Sequence, residues 1–322
     1  MSRRALSIAL GLLLLLGTNS FAALKQSYVS GNFALELEGA PAGFVTGVDG
    51  GFAFGNVVEE SESPEYFIKK HLEDPPGYSD ITVEIGAAMS PAVYLWIRDV
   101  LDGNFSTRKN GAILALNYNN QIVRRVDFSD AHITRVVFPA VNASDKGLAT
   151  IKLTLTPEAT FSSSPGGTYK GSTAAKIKKW NPSNFRFSIK GLDTTRVSSV
   201  DAIDISIPRT ARPDASCEIC NPVIPQINFP SIAFVGAESF AATWFAWHQS
   251  FVIAGQHNDA DEKSGTLDYL DSTLQNTLFS LNFTGLGITS IASESSASET
   301  ILRVRAEAYA EKIQLTLFPS GK

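Results

Sequence analysis

An internal repeat is the feature that most constrains this chain. The segment "RVDFSDAHITRVV" (125–137) recurs about 155 positions later as "SLNFTGLGITSI" (280–291). Three further segments recur in the same order, at offsets of about 150 to 155: "NFALELEGAPAGFVTGVD" (32–49) with "NFRFSIKGLDTTRVSSVD" (184–201), "SPAVYLWIRDVL" (90–101) with "SFAATWFAWHQSFVI" (239–253), and "GAILALNY" (111–118) with "GTLDYLDS" (265–272). Four ordered matches predict two tandem copies of one domain, each of ordinary single-domain size.

The first residues have the three regions of a signal peptide. Arg3 and Arg4 precede a 12-residue, mainly apolar run, and small residues follow up to Ala22. We expect cleavage between Ala22 and Ala23. The alternative, a membrane anchor, is disfavoured because a spanning helix needs about 20 apolar residues. The predicted organisation is a signal peptide (1–22), a first domain (23–159), a Ser/Gly/Lys-rich linker (160–180) and a second domain (181–322).

The charge balance limits the partners. The net charge is −5, and loss of the two signal-peptide arginines makes it −7. An acidic chain is a poor ligand for nucleic acid or anionic membrane, so neither is expected as a partner. No integral membrane segment is predicted. The export signal and the lack of a predicted membrane segment together indicate an extracellular or cell-surface protein, with the periplasm as the alternative.

Cys217 and Cys220 are the two cysteines, in the motif "SCEIC". In an exported chain they are candidates for a disulfide bond. A redox motif and half of a zinc site are the alternatives, but no second C-x-x-C follows.

Hydrophobic residues mostly alternate with polar ones, as in Ile151, Leu153 and Leu155. This period of two predicts half-buried antiparallel strands. One amphipathic helix interrupts it in each copy. The first begins at Ser90 and Pro91, which suit the N-cap and the first helical position. The second carries aromatic residues that we expect to pack against the sheets, with a carbohydrate-binding surface as the alternative. Its aromatic residues are Phe240, Trp244, Phe245, Trp247 and Phe251.

Catalytic signatures are missing from the sequence. The four histidines lie in separate segments, and neither HExxH, GxSxG nor a phosphate-binding glycine loop occurs. We therefore predict a protein that is not an enzyme, with no cofactor, catalytic site or metal site.

The first copy resembles the tail tube proteins of contractile phages and related injection systems. The resemblance runs from "FALELEGAPAGFVTGVDG" through "GYSDITVEIG", "WIRDVLDG" and "RKNGAILAL" to "KLTLTPE". The second copy fits more loosely. The haemolysin-coregulated protein of type VI secretion belongs to the same group.

The resemblance implies two antiparallel β-barrel or sandwich domains, each with one flanking helix. It also implies domains that join into six-domain rings and stack into a hollow tube, here with three chains per ring. The chain's partner would then be itself, and the cargo is unknown. The inserted loop at 51–80 would contact the next ring, as would its counterpart at 207–231. Its charged candidates for that contact are Glu59, Glu60, Glu62, Lys69 and Lys70.

Three functions follow as hypotheses. The first is an exported subunit that polymerises into a tube or filament. The second is a soluble, secreted or periplasmic module that binds a glycan or a protein. The third is the tube subunit of a phage-like contractile injection system.

Overall fold

A computed structural model describes residues 32–60, 66–171, 180–209, 225–294 and 302–318. Several predicted features lie outside these ranges: the signal peptide with its Ala22–Ala23 cleavage site, Glu62, and the cysteines Cys217 and Cys220. The N-terminal half comprises residues 32–171, and the C-terminal half comprises residues 180–318.

The N-terminal half consists mainly of antiparallel strands. Strand β7 shows why, because its sequence "ITVEI" alternates buried and half-buried side chains. The strands are β1 (Asn32–Leu37), β2 (Ala40–Gly50), β3 (Ala53–Phe54), β4 (Val57–Glu60), β5 (Lys69–Leu72), β6 (Gly77–Tyr78), β7 (Ile81–Ile85), β8 (Lys109–Leu116), β9 (Ile122–Phe138), β10 (Val141–Asn142), β11 (Ile151–Thr156) and β12 (Ala159–Ser163).

Six of these strands close into a barrel. Their order is β11-β7-β2-β1-β8-β9, and β9 pairs back onto β11. Strand β9 is long enough to have two partners along each edge. One edge pairs first with β8, and the other pairs with β12 and then with β11. Closing the sheet leaves these six strands without a free side edge in the paired region.

Helix α1 (Pro91–Leu101) begins where the sequence predicts. Pro91 occupies the first helical turn, and Ser90 is the N-cap residue, although its side chain makes no capping hydrogen bond. The helix buries a stripe containing Val93, Trp96 and Val100. The period-3.6 pattern thus places α1 against the sheets.

The C-terminal half contains corresponding strands and a helix, but its described strands do not close into a barrel. Its strands are β13 (Phe185–Ile189), β14 (Val197–Val200), β15 (Ile203–Ser206), β16 (Ile232–Ala237), β17 (Lys263–Leu270), β18 (Thr277–Glu294) and β19 (Arg303–Leu317). A 3₁₀ turn (Glu238–Phe240) leads into helix α2 (Ala242–His248), which continues as a π-helical turn (Gln249–Ile253). Gly236 allows α2 to approach β16, because a Cβ at this position would lie 2.6 Å from the Trp244 ring.

The strand neighbours of the two halves correspond. The second sheet runs β10-β14-β16-β19-β18-β17-β13. Six strands of the C-terminal half can be matched in sequence order with six strands of the N-terminal half: β13, β14, β16, β17, β18 and β19 with β1, β2, β7, β8, β9 and β11. Every strand pairing in the second sheet but one then has a counterpart in the first sheet. The exception is at β14, which pairs with β10 of the N-terminal half, whereas β2 pairs with β1.

A continuous apolar core fills both halves and the space between them. It includes Trp96 and Val136 from the N-terminal half and Phe234, Trp244 and Phe283 from the C-terminal half. The fold is therefore mainly β, with antiparallel strands and flanking helices, as the alternation of residues predicts.

Part of the predicted linker is ordered against the N-terminal barrel. Strand β12 extends past residue 159 to Ser163, and Tyr169 is buried with its ring 5.3 Å from that of Phe44. Among the described residues, none of the helices is long and apolar enough to cross a membrane.

Candidate functional site: the joint between the two halves

The two halves are joined edge to edge by strand pairing. Strand β15 of the C-terminal half runs antiparallel to β9, with Ile203 opposite Phe138 and Ser206 opposite Arg135. At these residues β11 pairs with one edge of β9. Strand β8 pairs with the opposite edge only as far as Ala131, and β15 pairs with the part of that edge beyond Ala131. Without β15, this edge would present unpaired backbone donors and acceptors.

A second, shorter pairing continues the contact. Val141 of β10 lies opposite Val200 of β14, and Asn142 lies opposite Ser199. Strands β9 and β10 together therefore receive β14 and β15, which are separated only by residues 201 and 202. We call this pair of strand contacts, together with the side chains packed around it, the internal joint.

An ion pair crosses the internal joint. Arg135 on β9 donates from Nε to Asp204 Oδ1 at 2.7 Å, and its second nitrogen contacts Oδ2. These hydrogen bonds hold the pKa of Asp204 below its usual value, and they raise the pKa of Arg135. Both side chains remain partly exposed, at 54% and 41%, so solvent screens the pair and its contribution to stability is modest.

Phe279 forms the apolar centre of the internal joint. Its ring centroid lies 6.3 Å from Tyr94 of α1 and 6.2 Å from Phe138 of β9. From its own half, Tyr269 stacks on it at 4.5 Å and Trp180 lies at 4.9 Å. Phe279 is only 2% exposed. Aromatic burial of this size makes the two halves one packed unit.

Polar contacts surround this aromatic cluster. The Tyr269 hydroxyl donates to the carbonyl of Pro139 at 3.2 Å, and burial raises its pKa. At the end of α1, Gln314 Nε2 donates to Asp102 Oδ1 at 2.9 Å. The internal joint therefore combines backbone pairing, an aromatic centre and a polar rim.

The charged candidates of the inserted loop lie together on a separate hairpin. Strands β4 and β5 pair with Glu59 opposite Lys70 and Glu60 opposite Lys69. Lys70 Nζ lies 2.7 Å from Glu59 Oε1, and His71 Nδ1 lies 3.5 Å from Glu60 Oε1. Glu59 and Lys70 thus form an ion pair across the two strands, and Glu60 contacts His71.

The hairpin also exposes apolar side chains that sequence reasoning overlooked. The sequence signal for an apolar face on a strand is the alternation of apolar and polar residues. These residues do not alternate in this way, so the sequence did not reveal them. They are Val57, Val58, Phe67, Ile68 and Leu72. Exposed apolar residues grouped in this way are typical of protein contact surfaces.

The aromatic residues of the second helix divide into two sets. Trp244, Trp247 and Phe251 are buried against the sheets, as expected. Phe240 and Phe245 are exposed, so the expectation that they pack against the sheets is wrong. Within the described residues there is no group of three or more His, Cys, Asp or Glu side chains placed to hold a metal ion.

The architecture defines a class: two antiparallel β units, each with a flanking helix, joined through a strand edge. Residues 32–160 match the family model of the T4-like virus tail tube protein gp19. This part of the chain is therefore similar to that tail tube family. The match covers less than half of the chain and ends within β12. No curated protein matches the chain.

Solved structures of injection systems align with somewhat less than half of this chain. One is a subunit of the sheath–tube complex of an extracellular contractile injection system, PVC, in its extended state, with 16% identity, a TM-score of 0.38, and coverage of 46% of this chain and 98% of that one. Another is a subunit of the tube-terminating cap of the anti-feeding prophage, with 17% identity, a TM-score of 0.38, and coverage of 47% and 99%. A third comes from the baseplate of the same prophage, with 18% identity, a TM-score of 0.35, and coverage of 42% and 95%.

We expect the Asp204→Asn variant to lose a small, pH-dependent part of the stability. Because the folded-state pKa of Asp204 is lowered, the ionised form stabilises the fold above the ordinary value of 3.8, and this is lost as the pH falls through the lowered pKa. Urea denaturation at pH 7 should show a loss of about 0.2–1 kcal/mol, shrinking below pH 4.

The exposed carboxylate of Asp259 provides the control, because it lies outside the internal joint. Asp259→Asn should change stability little at either pH. An equal loss for Asp204→Asn at pH 7 and at pH 3 would contradict an ionic role for the pair.

Proposed function

We propose that this protein is an exported structural subunit that assembles with itself. Three chains, each supplying two tail-tube-like domains, form a pseudo-sixfold ring, and rings stack into an extracellular tube or filament. The role is structural, and the partner is the chain itself.

One observation carries this proposal: a domain that matches the tail tube family model is joined to a second β unit by strand pairing. Residues 32–160 match the family, and β15 completes the edge of β9. Edge-to-edge addition between like domains is a head-to-tail contact, which closes into a ring when the rotation per domain allows. The internal joint is then the first contact of such a ring.

The repeat supports two domains per chain. The four recurring segments and the corresponding strand neighbours of the two halves agree with a tandem duplication. If six domains form one ring, three chains supply them. Covalent linkage also raises the effective concentration of one domain beside the other, so every second joint forms within a chain.

The predicted signal peptide supports assembly outside the inner membrane. An acidic, exported chain that reaches its partners only after translocation avoids polymerising inside the cell. The polymer would therefore lie in the extracellular space or at the cell surface.

The β4–β5 hairpin is the proposed contact with the next ring. It projects from the barrel with all of its strand residues exposed. Side-chain contacts between Glu59 and Lys70 and between Glu60 and His71 link its two strands. Its exposed apolar side chains, including Phe67 and Ile68, then supply the area for contact.

Negative-stain electron microscopy of the chain, purified after export, tests the proposal. We expect rings of about six lobes, and stacks of such rings at higher protein concentration. Mass photometry of the smallest ring should give three chains. Isolated two-lobed particles across concentration, salt and pH would contradict self-assembly and would favour a soluble binding module.

A charge at the hairpin should separate ring formation from stacking. Ile68→Asp places a carboxylate where an apolar side chain is 53% exposed, so burying it against another ring becomes costly. We expect single rings with few or no stacks by electron microscopy. Leu274→Asp, at an exposed turn between β17 and β18, is the control and should still stack. Normal stacks of Ile68→Asp would exclude the hairpin as the inter-ring contact.

A further inference from the structure

The C-terminal half repeats the receiving edge of the internal joint but leaves it open. In the N-terminal half, β15 covers the edge of β9 beyond β8. The equivalent strand, β18, pairs with β17 only as far as Leu286. From Gly287 to Glu294, this edge of β18 has no strand partner among the described residues. Sequence equivalence is direct, since Phe128 and Ile133 of β9 correspond to Phe283 and Ile288.

Helix α2 and its π-helical turn leave exposed the positions that correspond to residues of α1 at the internal joint. The buried stripe of α1 (Val93, Trp96, Val100) has the same spacing as that of α2 (Trp244, Trp247, Phe251). In that alignment, Tyr94, which touches Phe279 across the internal joint, corresponds to Phe245. Leu101 and Asp102 correspond to Val252 and Ile253. Phe245, Val252 and Ile253 are all exposed.

We call the β18 edge, Gly287–Glu294, and these three α2 side chains the open receiving face. Each of its parts has a filled counterpart in the internal joint. The open receiving face therefore corresponds to the N-terminal side of the internal joint, but without a second domain bound to it.

The N-terminal half carries the matching donor. Asp49 and Asp201 are equivalent, so residues 51–54 correspond to β15. Strand β2 pairs with β1 only as far as Val45, and from residue 46 onwards its β1-side edge has no partner in the described part of the chain. Phe52 and Phe54, at 56% and 48% exposure, lie on this segment.

Phe161 is the second part of the donor. Phe161 lies opposite Asp127 on β9, and Gln314 lies opposite Asn282 on β18. Asp127 and Asn282 are equivalent positions of the two strands. Phe161 thus takes the place of Gln314, the residue that contacts the end of α1. It is 70% exposed beside a surface groove that also includes Arg125 and Asp127. Residues 46–54 and Phe161 form the open donor face.

The open faces differ in chemistry from the internal joint. Where the internal joint has Arg135 and Asp204, the open faces have Ser290 and Phe52. Where it has Asp102 and Gln314, they have Ile253 and Phe161. The ion pair is thus replaced by a serine and a phenylalanine, and the second polar contact is replaced by two apolar residues, which are complementary to one another.

From these correspondences we infer that the open receiving face of one chain binds the open donor face of a second copy of the same chain. Residues 51–54 add to the β18 edge, and the exposed side chains of α2 pack on Phe161. The contact is head to tail and mainly apolar, and each copy uses a different face. This inference rests on the proposed self-assembly and specifies the surface through which it occurs.

Cysteine cross-linking tests the register. Asp204 lies opposite Val137 in the internal joint, so Phe52 should lie opposite Ala292 of the next chain. In a background of Cys217→Ser and Cys220→Ser, the full-length chain carries Phe52→Cys with Ala292→Cys. After mild oxidation, non-reducing electrophoresis should show reducible dimers and larger covalent species.

Two controls bracket this result. Val137→Cys with Asp204→Cys should cross-link within one chain and yield only monomer. Phe52→Cys with Thr284→Cys, which uses an exposed residue of β18 outside the open edge, should yield little cross-linking.

The possible outcomes separate this inference from the proposed function. Rings by electron microscopy without cross-linking of residues 52 and 292 would overturn the inference and leave self-assembly intact. A cross-link confined to monomers would show that a chain covers its own edge, which would also overturn it. Absence of both rings and cross-links would overturn self-assembly itself.

A charge in the open donor face should weaken chain-to-chain binding without affecting the fold. Phe161→Asp is expected to raise the concentration for half-maximal assembly at least about tenfold, because the carboxylate loses water on an apolar partner. Analytical ultracentrifugation measures this value. Tyr118→Asp, which alters another highly exposed aromatic residue outside both open faces, is the matched control. Equal assembly of the two variants would contradict a role for Phe161.

Discussion

The pairing of β15 with β9 is the interaction on which the rest of the structure depends. A strand edge of this length cannot stay bare without exposing a row of backbone donors and acceptors. The chain covers this edge of β9 with β15 from the C-terminal half, and this pairing fixes how the two halves pack against each other. Phe279 comes to lie between Tyr94 and Phe138, and Asp204 comes within reach of Arg135. The shared core is therefore a consequence of the pairing of β15 with the free edge of β9.

A chain built in this way has two kinds of joint. The internal joint forms on folding, whatever the protein concentration, and has a polar rim. The proposed joint between chains depends on concentration and relies on apolar contact, so its strength should respond little to salt. Because the two joints have different residues at equivalent positions, neighbouring domains cannot exchange roles. A ring would then alternate between the two joints and have one direction around its circumference.

Much of this fold could be predicted from local sequence. Alternation in "ITVEI" and "IKLTLT" indicates strands, and Ser90–Pro91 marks the start of α1. The repeat predicted that both halves carry the same elements. The joint could not be predicted in this way, because the short segment "IDIS" of β15 carries no signal for its partner 69 residues away. The charged residues of the β4–β5 hairpin were chosen as contact candidates through the family resemblance, but Glu59 and Lys70 pair with each other. The exposed apolar residues beside them gave no periodic signal.

The pairing of β10 with β14 gives the two halves unequal independence. The N-terminal barrel is closed by its own strands, whereas β14 takes its neighbour on one side from the N-terminal half, where β2 has β1. During synthesis the N-terminal half emerges first, together with all the strands that close its barrel. The C-terminal half then folds against a surface that is already in place. The order of synthesis thus matches the order in which the two halves obtain their strand partners, and the earlier half provides the edges onto which β14 and β15 of the later half add.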